Sequence, residues 1–174
     1  MDYQQSRAYI RDAEQYAGGA LDLTNIKEIM KRLGNPQDQL KYVHVAGTNG
    51  KGSVIAYLYT TLTNAGYHVG RYISPSVYSY REKIEVEGTP ISREQFAKHT
   101  TRVAAVIEEM TAEGLAHPTP FEIETAVAFL FFAEEKCDPV ILEVGMGGIT
   151  DATNLIRTTE LAVLVPISMD HQSF

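Results

Sequence analysis

Tyr42-Val43-His44-Val45-Ala46-Gly47-Thr48-Asn49-Gly50-Lys51-Gly52-Ser53 decides the fold. A β-prone run from Tyr42 to Ala46 enters a glycine-rich turn that carries Lys51 and ends on the Ser53 hydroxyl, and helix-compatible sequence follows from Val54. That order reads as a phosphate-binding loop. Glycines let the backbone turn tightly enough to aim several N–H groups at one anion, and the following helix presents its positive end. Lys51 adds a point charge, and Ser53 can reach a magnesium ion. The common pattern G-x-x-x-x-G-K-[ST] is not met literally, because Val45 stands at the first glycine and Gly52 separates Lys51 from Ser53. The plain alternative is a glycine-rich βα turn with an exposed lysine. Strand, loop, lysine, hydroxyl and helix in sequence weigh toward the phosphate site.

Outward from this stretch the chain alternates helices and strands. Residues 3 to 17 read as a surface helix, and Leu23, Ile26, Ile29, Met30 and Leu33 recur at helical spacing before Gly34 and Pro36 end the run. Asp22 or Thr24 can cap that second helix. Beyond the loop, Val54, Leu58 and Leu62 predict a helix laid on a sheet, followed by a strand over His68 to Ile73. Residues 74 to 83 lack periodicity and read as a functional loop. A small hairpin over residues 84 to 91 precedes a helix capped by Ser92 and running to about Gly114, with Phe96, Val103, Val106, Ile107 and Met110 inward. Thr119 as cap and Pro120 in the first turn open another helix, apolar almost all round from Ala126 to Ala133. Strands follow at residues 139 to 142 and at Leu161 to Ile167. These elements predict an α/β fold with an open, mainly parallel sheet flanked by helices, in which ligands lie at the carboxyl ends of strands. The loop, Ser74, Glu143 and His171 all end or follow predicted strands, so they are expected to meet on one edge.

Composition narrows the partners. A chain of 174 residues with 44% hydrophobic and 21% charged residues has the make-up of one ordinary globular domain. The net charge of −7 disfavours a general nucleic-acid or anionic-membrane surface, while leaving room for one local phosphate site. The single cysteine, Cys137, excludes an intrachain disulfide and fits a reducing compartment. The start of the chain lacks a basic region followed by an apolar run, and no stretch reaches ~18 uninterrupted apolar residues, so a cytoplasmic protein is expected.

Glu143 is the sharpest residue after the loop. A carboxylate closing a Val-Ile-Leu strand is costly unless partnered, and either magnesium near nucleotide phosphates or a buried bridge to Lys51 or an arginine would satisfy it. His171, with Asp170 beside it, reads as a ligand or as a hydrogen-bonded structural histidine. Ser74-Pro75 is first of all a turn signal. His44, His68, His99 and His117 read as structural or exposed.

The loop, Ile73-Ser74-Pro75, Thr119-Pro120-Phe121-Glu122, Glu143-Val144-Gly145-Met146-Gly147-Gly148, Asp151-Ala152-Thr153-Asn154 and Met169-Asp170-His171 stand in the order seen in folylpolyglutamate and dihydrofolate synthases. The chain therefore resembles the amino-terminal part of that branch of the Mur ligase superfamily, and Gly52 points to the same branch. The resemblance implies a fold like the Mur ligase central domain, here as an incomplete amino-terminal ATP-binding domain over residues 1 to 174. It implies that Asn49, Gly50, Lys51, Gly52 and Ser53 hold the ATP phosphates, and that Ser74, Glu143 and His171 ligate magnesium. Thr119, Pro120, Phe121, Glu122, Thr150, Asp151 and Ala152 would border the pterin, with Asp22, Leu23 and Thr24 as a further contact. Two departures stand out. Many relatives carry Gly-Gly-Arg-Leu-Asp where this chain has Gly147-Gly148-Ile149-Thr150-Asp151, and Ser76-Val77 replaces the usual His-Leu.

The implied activity is ATP-dependent addition of L-glutamate to a folate or dihydropteroate carboxylate through an acyl phosphate, with Lys51, Glu143 and His171 at the reacting centre. Relatives continue into a second domain that bears the glutamate site, so the fragment alone is expected to be inactive and to need that missing domain as its partner. A stand-alone nucleotide-binding module is the competing expectation. A cell-wall Mur ligase is disfavoured by Gly52 and by the Ser74-Pro75 and Phe121-Glu122 motifs.

Overall fold

The computed structural model describes residues 1–17 and 22–168. Helix α1 (Tyr3–Asp12) opens on a capping box in which the Asp2 carboxylate accepts from Gln5 N and the Gln5 side chain accepts from Asp2 N, and a 3-10 turn, Ala13–Tyr16, extends it. Helix α2 (Thr24–Arg32) begins beside Asp22, whose Oδ1 accepts from Thr24 N at 2.7 Å. Strand β1 (Tyr42–Ala46) leads through the glycine loop into α3 (Lys51–Asn64). The helix starts three residues earlier than its apolar spacing predicts, because Gly50 at φ 94° completes the turn by itself and leaves Lys51, Gly52 and Ser53 inside the first helical turn.

Strand β2 (Gly70–Tyr72) is shorter than expected, and β3 (Ile84–Val86) and β4 (Thr89–Pro90) form the small hairpin. Ser92 caps α4 (Arg93–Ala112) and Thr119 caps α5 (Pro120–Glu135), each by a capping box with Gln95 and Glu122 respectively. Strands β5 (Val140–Glu143) and β6 (Thr159–Leu164) complete a sheet of order β4-β3-β2-β5-β1-β6. β2, β5, β1 and β6 run parallel, while β3 and β4 extend one side antiparallel. The sheet is thus mainly parallel, and the hairpin belongs to it.

Alternation along β1 divides the core between two faces. Tyr42 joins Tyr72, Leu142 and the inner sides of α1, α2, α4 and α5, whereas Val43 and Val45 join Ile141, Val69 and α3. Every residue of α5 from Glu122 to Phe132 is buried, which explains why its apolar character goes all round. On α3 the fully buried row is Ile55 and Tyr59; Val54, Leu58 and Leu62, the row predicted from spacing, lie partly buried alongside. The last strand differs most from expectation. β6 ends at Leu164 rather than Ile167, and Leu161 and Leu164 are 49% and 74% exposed, since β6 pairs only with β1 and no helix among the described residues covers it. No described helix is long and apolar enough to cross a membrane.

Candidate active site

Register sets the site. Val45 pairs with Glu143 and Tyr72 with Leu142, so the carboxyl ends of β1, β5 and β2 bring the glycine loop, Glu143 and Ser74 to one edge. The loop lies tightly against the segment after β6: a Cβ on Gly47, at φ 134°, would stand 2.4 Å from Val165 Cγ2 and 2.6 Å from its carbonyl oxygen. Thr48 N and Asn49 N donate to Pro166 O at 3.0 and 3.4 Å, and Asn49 Nδ2 donates to Ser168 Oγ at 3.3 Å. The front amides of the loop are therefore used in holding it to the sheet. The helix start is differently placed. No side chain caps α3, and its first intrahelical bond is Val54 N to Gly50 O, so the Lys51, Gly52 and Ser53 amides have no acceptor within the helix.

Lys51 Nζ donates to Gly47 O at 2.9 Å and stands 3.8 Å from Glu143 Oε1. Glu143 is 8% exposed, and its Oε2 accepts from Ser74 N at 3.0 Å. Burial raises the Glu143 pKa above the usual carboxylate range, a shift that the Ser74 N–H and Lys51 oppose. Both open alternatives for Glu143 thus meet here, since the lysine bridge exists but is long. Among the described residues Oε1 accepts no hydrogen bond and has only the distant Lys51 ammonium beside it. Among the described residues no three His, Cys, Asp or Glu side chains cluster in a way that could hold a metal ion. His171 and Asp170 lie outside the described residues.

The start of α5 belongs to the same edge, because α5 runs back along the sheet into β5. Thr119 and Glu122 satisfy each other: Glu122 Oε2 accepts from Thr119 N and Oγ1 at 2.8 and 2.9 Å. Phe121 stacks on Tyr72 with centroids 6.0 Å apart, and its ring tip occupies the space above Gly145, where a Cβ would come within 2.8 Å of it. Asp151, 5% exposed, closes the glycine turn, with Oδ2 accepting from Met146 N at 2.8 Å and Oδ1 from Thr153 N at 2.9 Å. Thr150 is exposed and Ala152 buried beside it. Asp22 and Thr24 sit at the start of α2, which packs on α5 and on the 3-10 turn Ala152–Leu155. Spacing did not reveal that His44 reaches this turn: its Nε2 lies 2.8 Å from Thr153 Oγ1, itself bonded to Asp151 Oδ1 at 2.5 Å. Burial lowers the His44 pKa, against the pull of Asp151, and the contact with Thr153 ties β1 to the turn.

No protein-family model matches the chain. The dihydrofolate synthase/folylpolyglutamate synthase of Bacillus subtilis is 40% identical over 172 residues, covering 98% of this chain and 40% of that protein. The folylpolyglutamate synthase of Lacticaseibacillus casei is 35% identical over 173 residues, 99% of this chain and 40% of its own length. By homology the chain belongs to the folylpolyglutamate/dihydrofolate synthase family. The fold agrees. The Thermotoga maritima folylpolyglutamate synthase superposes with a TM-score of 0.87 at 35% identity, over 96% of this chain and 38% of that one. A folylpolyglutamate synthase complex with AMPPCP and folate gives 0.91 at 35% identity, over 99% and 42%. The chain thus spans about two fifths of the length of the relatives it matches, as an amino-terminal part of such an enzyme would.

Proposed function

We propose that the chain is the nucleotide-binding part of an ATP-dependent ligase that adds L-glutamate to a folate or dihydropteroate carboxylate. The juxtaposition of Lys51, Glu143 and Ser74 with the uncapped start of α3 carries this reading. An acceptor carboxylate oxygen attacks the γ-phosphorus of ATP, the bond to the β,γ-bridging oxygen breaks, and ADP leaves an acyl phosphate. The amino nitrogen of glutamate then attacks the acyl carbon, and phosphate departs as the amide forms. Lys51, held over the loop by Gly47 O, and the amides of Lys51, Gly52 and Ser53, which have no acceptor within the helix, stabilise the negative charge on the transferring phosphoryl group. Magnesium, when bound, would be held by Glu143 and the Ser74 and Ser53 hydroxyls, with His171 as a further ligand, and would neutralise phosphate charge. Asn49 and Gly50 line the phosphate side. Thr119, Pro120, Phe121 and Glu122, with Thr150, Asp151 and Ala152 and the Asp22–Thr24 segment, border the pterin, and Asp151 acts by shaping the turn, since both its oxygens are engaged.

The reading assigns the glutamate site to the part of the relatives' length that this chain does not span, and the exposed Leu161 and Leu164 of β6 support a continuation of the sheet there. The buried Cys137 thiol, pushed up to about 12 by burial, suits a reducing cytoplasm. Calorimetry with saturating MgATP followed by dihydropteroate or folate tests the acceptor. Binding of one of these pterins is expected, and binding of a uridine-linked muropeptide instead would overturn the reading. Multiple-turnover glutamylation by the 174-residue chain alone would refute the division of labour.

A further inference from the structure

Residues 74 to 82 leave the sheet after β2 and return to it, closed at the base where Ile73 N donates to Lys83 O at 2.9 Å. The returning limb, the 3-10 turn Tyr80–Lys83, is well anchored. Lys83 Nζ bridges both oxygens of Glu124 on α5 at 2.8 and 3.0 Å, Arg81 Nη1 donates to Ile91 O at 2.8 Å, and Tyr80 carries the Arg7 guanidinium of α1 on its ring, 3.3 Å from the centroid. The outgoing limb has no such support. Val77 and Tyr78 at its crest are 76% and 95% exposed, so side-chain packing does not shape it. Among the described residues, the hydrogen bonds that its backbone N–H groups donate go to two carboxylates. Glu143 accepts from Ser74 N. Glu82 accepts from Val77 N, from Tyr78 N at 2.9 Å and from Ser79 N at 3.0 Å. These amides, Val77's foremost, hold the Glu82 pKa below the usual carboxylate range, so the group is ionised and accepts only.

We propose that Glu82 is a positioning residue for the nucleotide site: by fixing the amides of residues 77 to 79 it keeps Ser74 N on Glu143, and so keeps Glu143 from closing on Lys51. The inference rests on the nucleotide-binding reading above. Glu82 acts through the limb and not on the nucleotide. The Ser74 bond is the one hydrogen bond that the Glu143 carboxylate accepts among the described residues, and Lys51 Nζ stands 3.8 Å from its other oxygen. With the limb loose, Glu143 loses its N–H partner, its buried charge draws Lys51 in, and less of the lysine charge reaches a phosphate.

The test uses the 174-residue chain, reading MgATP affinity by calorimetry and hydrogen exchange of the Ser74 amide by NMR. Glu82→Ala should weaken MgATP about fivefold and speed Ser74 exchange about tenfold. Glu82→Gln, which keeps an acceptor oxygen for Val77 and Tyr78, should lose less on both counts. Glu82→Asp draws the carboxylate back by one methylene while keeping its charge, and should lose as alanine does. In a Glu143→Ala background, Glu82→Ala should change MgATP affinity by less than about twofold, whereas a general structural role would weaken both backgrounds alike. Unchanged MgATP affinity in Glu82→Ala and Glu82→Asp, an equal loss in both backgrounds, or unaltered Ser74 exchange would each overturn the proposal. If the folded wild type takes up no MgATP, the nucleotide-binding reading fails, and Ser74 exchange then decides the role of Glu82 separately: faster exchange in Glu82→Ala sustains it as the residue that holds Ser74 on Glu143, and unaltered exchange removes it.

Discussion

His99 makes the stability of this chain sensitive to mild acid. It sits on α4 facing α5, fully buried, with its ring 6.2 Å from that of Phe131 and neither ring nitrogen hydrogen-bonded. The nearest carboxylate, Glu134, is 3.8 Å away, while Lys98 and Arg102 on its own helix oppose protonation. Burial is the dominant effect and lowers its pKa from 6.5 to about 4. The folded chain therefore binds this proton less readily than the unfolded one. Stability is whole above pH 6.5 and falls as the pH drops from 6.5 toward 4, by about 2 kcal/mol at pH 5 and about 3 kcal/mol in the limit, at about 1.4 kcal/mol per pKa unit. Urea denaturation of the wild type and of His99→Leu at pH 7.5 and pH 5 isolates the effect, since the remaining carboxylates titrate in both proteins. Leucine removes two unpaired buried nitrogens, so the variant should be no less stable than the wild type at pH 7.5. At pH 5 its relative advantage should grow by about 2 kcal/mol. An unchanged difference between the two pH values would refute the reasoning.

Three substitutions probe the edge itself. Gly47→Ala drives a Cβ into Val165 at a positive φ, so a loss of about 2 kcal/mol or more is expected in denaturant, together with loss of nucleotide binding. Gly52→Ala meets nothing within 4 Å and lies in a helical turn, so the denaturation midpoint should hold or rise slightly while calorimetry shows weaker MgATP binding, because the methyl projects at the helix start that phosphate approaches. Thr119→Ala breaks the capping box with Glu122 and should cost about 1 kcal/mol in the same unfolding assay.

What the sequence made legible was local. Glycine loop, capping residues and apolar periods each act within a few residues; the four strands they assigned to a parallel sheet, β1, β2, β5 and β6, run parallel, and the expected hairpin over residues 84 to 91 forms as β3 and β4. The place of the β3–β4 hairpin at the sheet side was not legible, because antiparallel pairing to β2 depends on edge positions that no local pattern encodes. Nor was the exposure of β6, whose Leu161 and Leu164 look like core residues in sequence and lack a covering layer in space. At the candidate site, the meeting of Lys51, Ser74 and Glu143 followed from the rule for strand ends. The contacts that hold it did not: His44 with Thr153, Lys83 with Glu124, and Arg7 on Tyr80 join residues far apart in the chain, and each residue alone is an ordinary surface or core type.

Titration calorimetry of MgATP against the wild type, Lys51→Ala and Glu143→Ala tests the central claim most directly. Binding by the wild type, with at least about tenfold loss in each folded variant, is predicted from the charge-assisted contacts at the helix start. Wild-type affinity retained in both variants, or a folded wild-type chain that takes up no nucleotide, would contradict it.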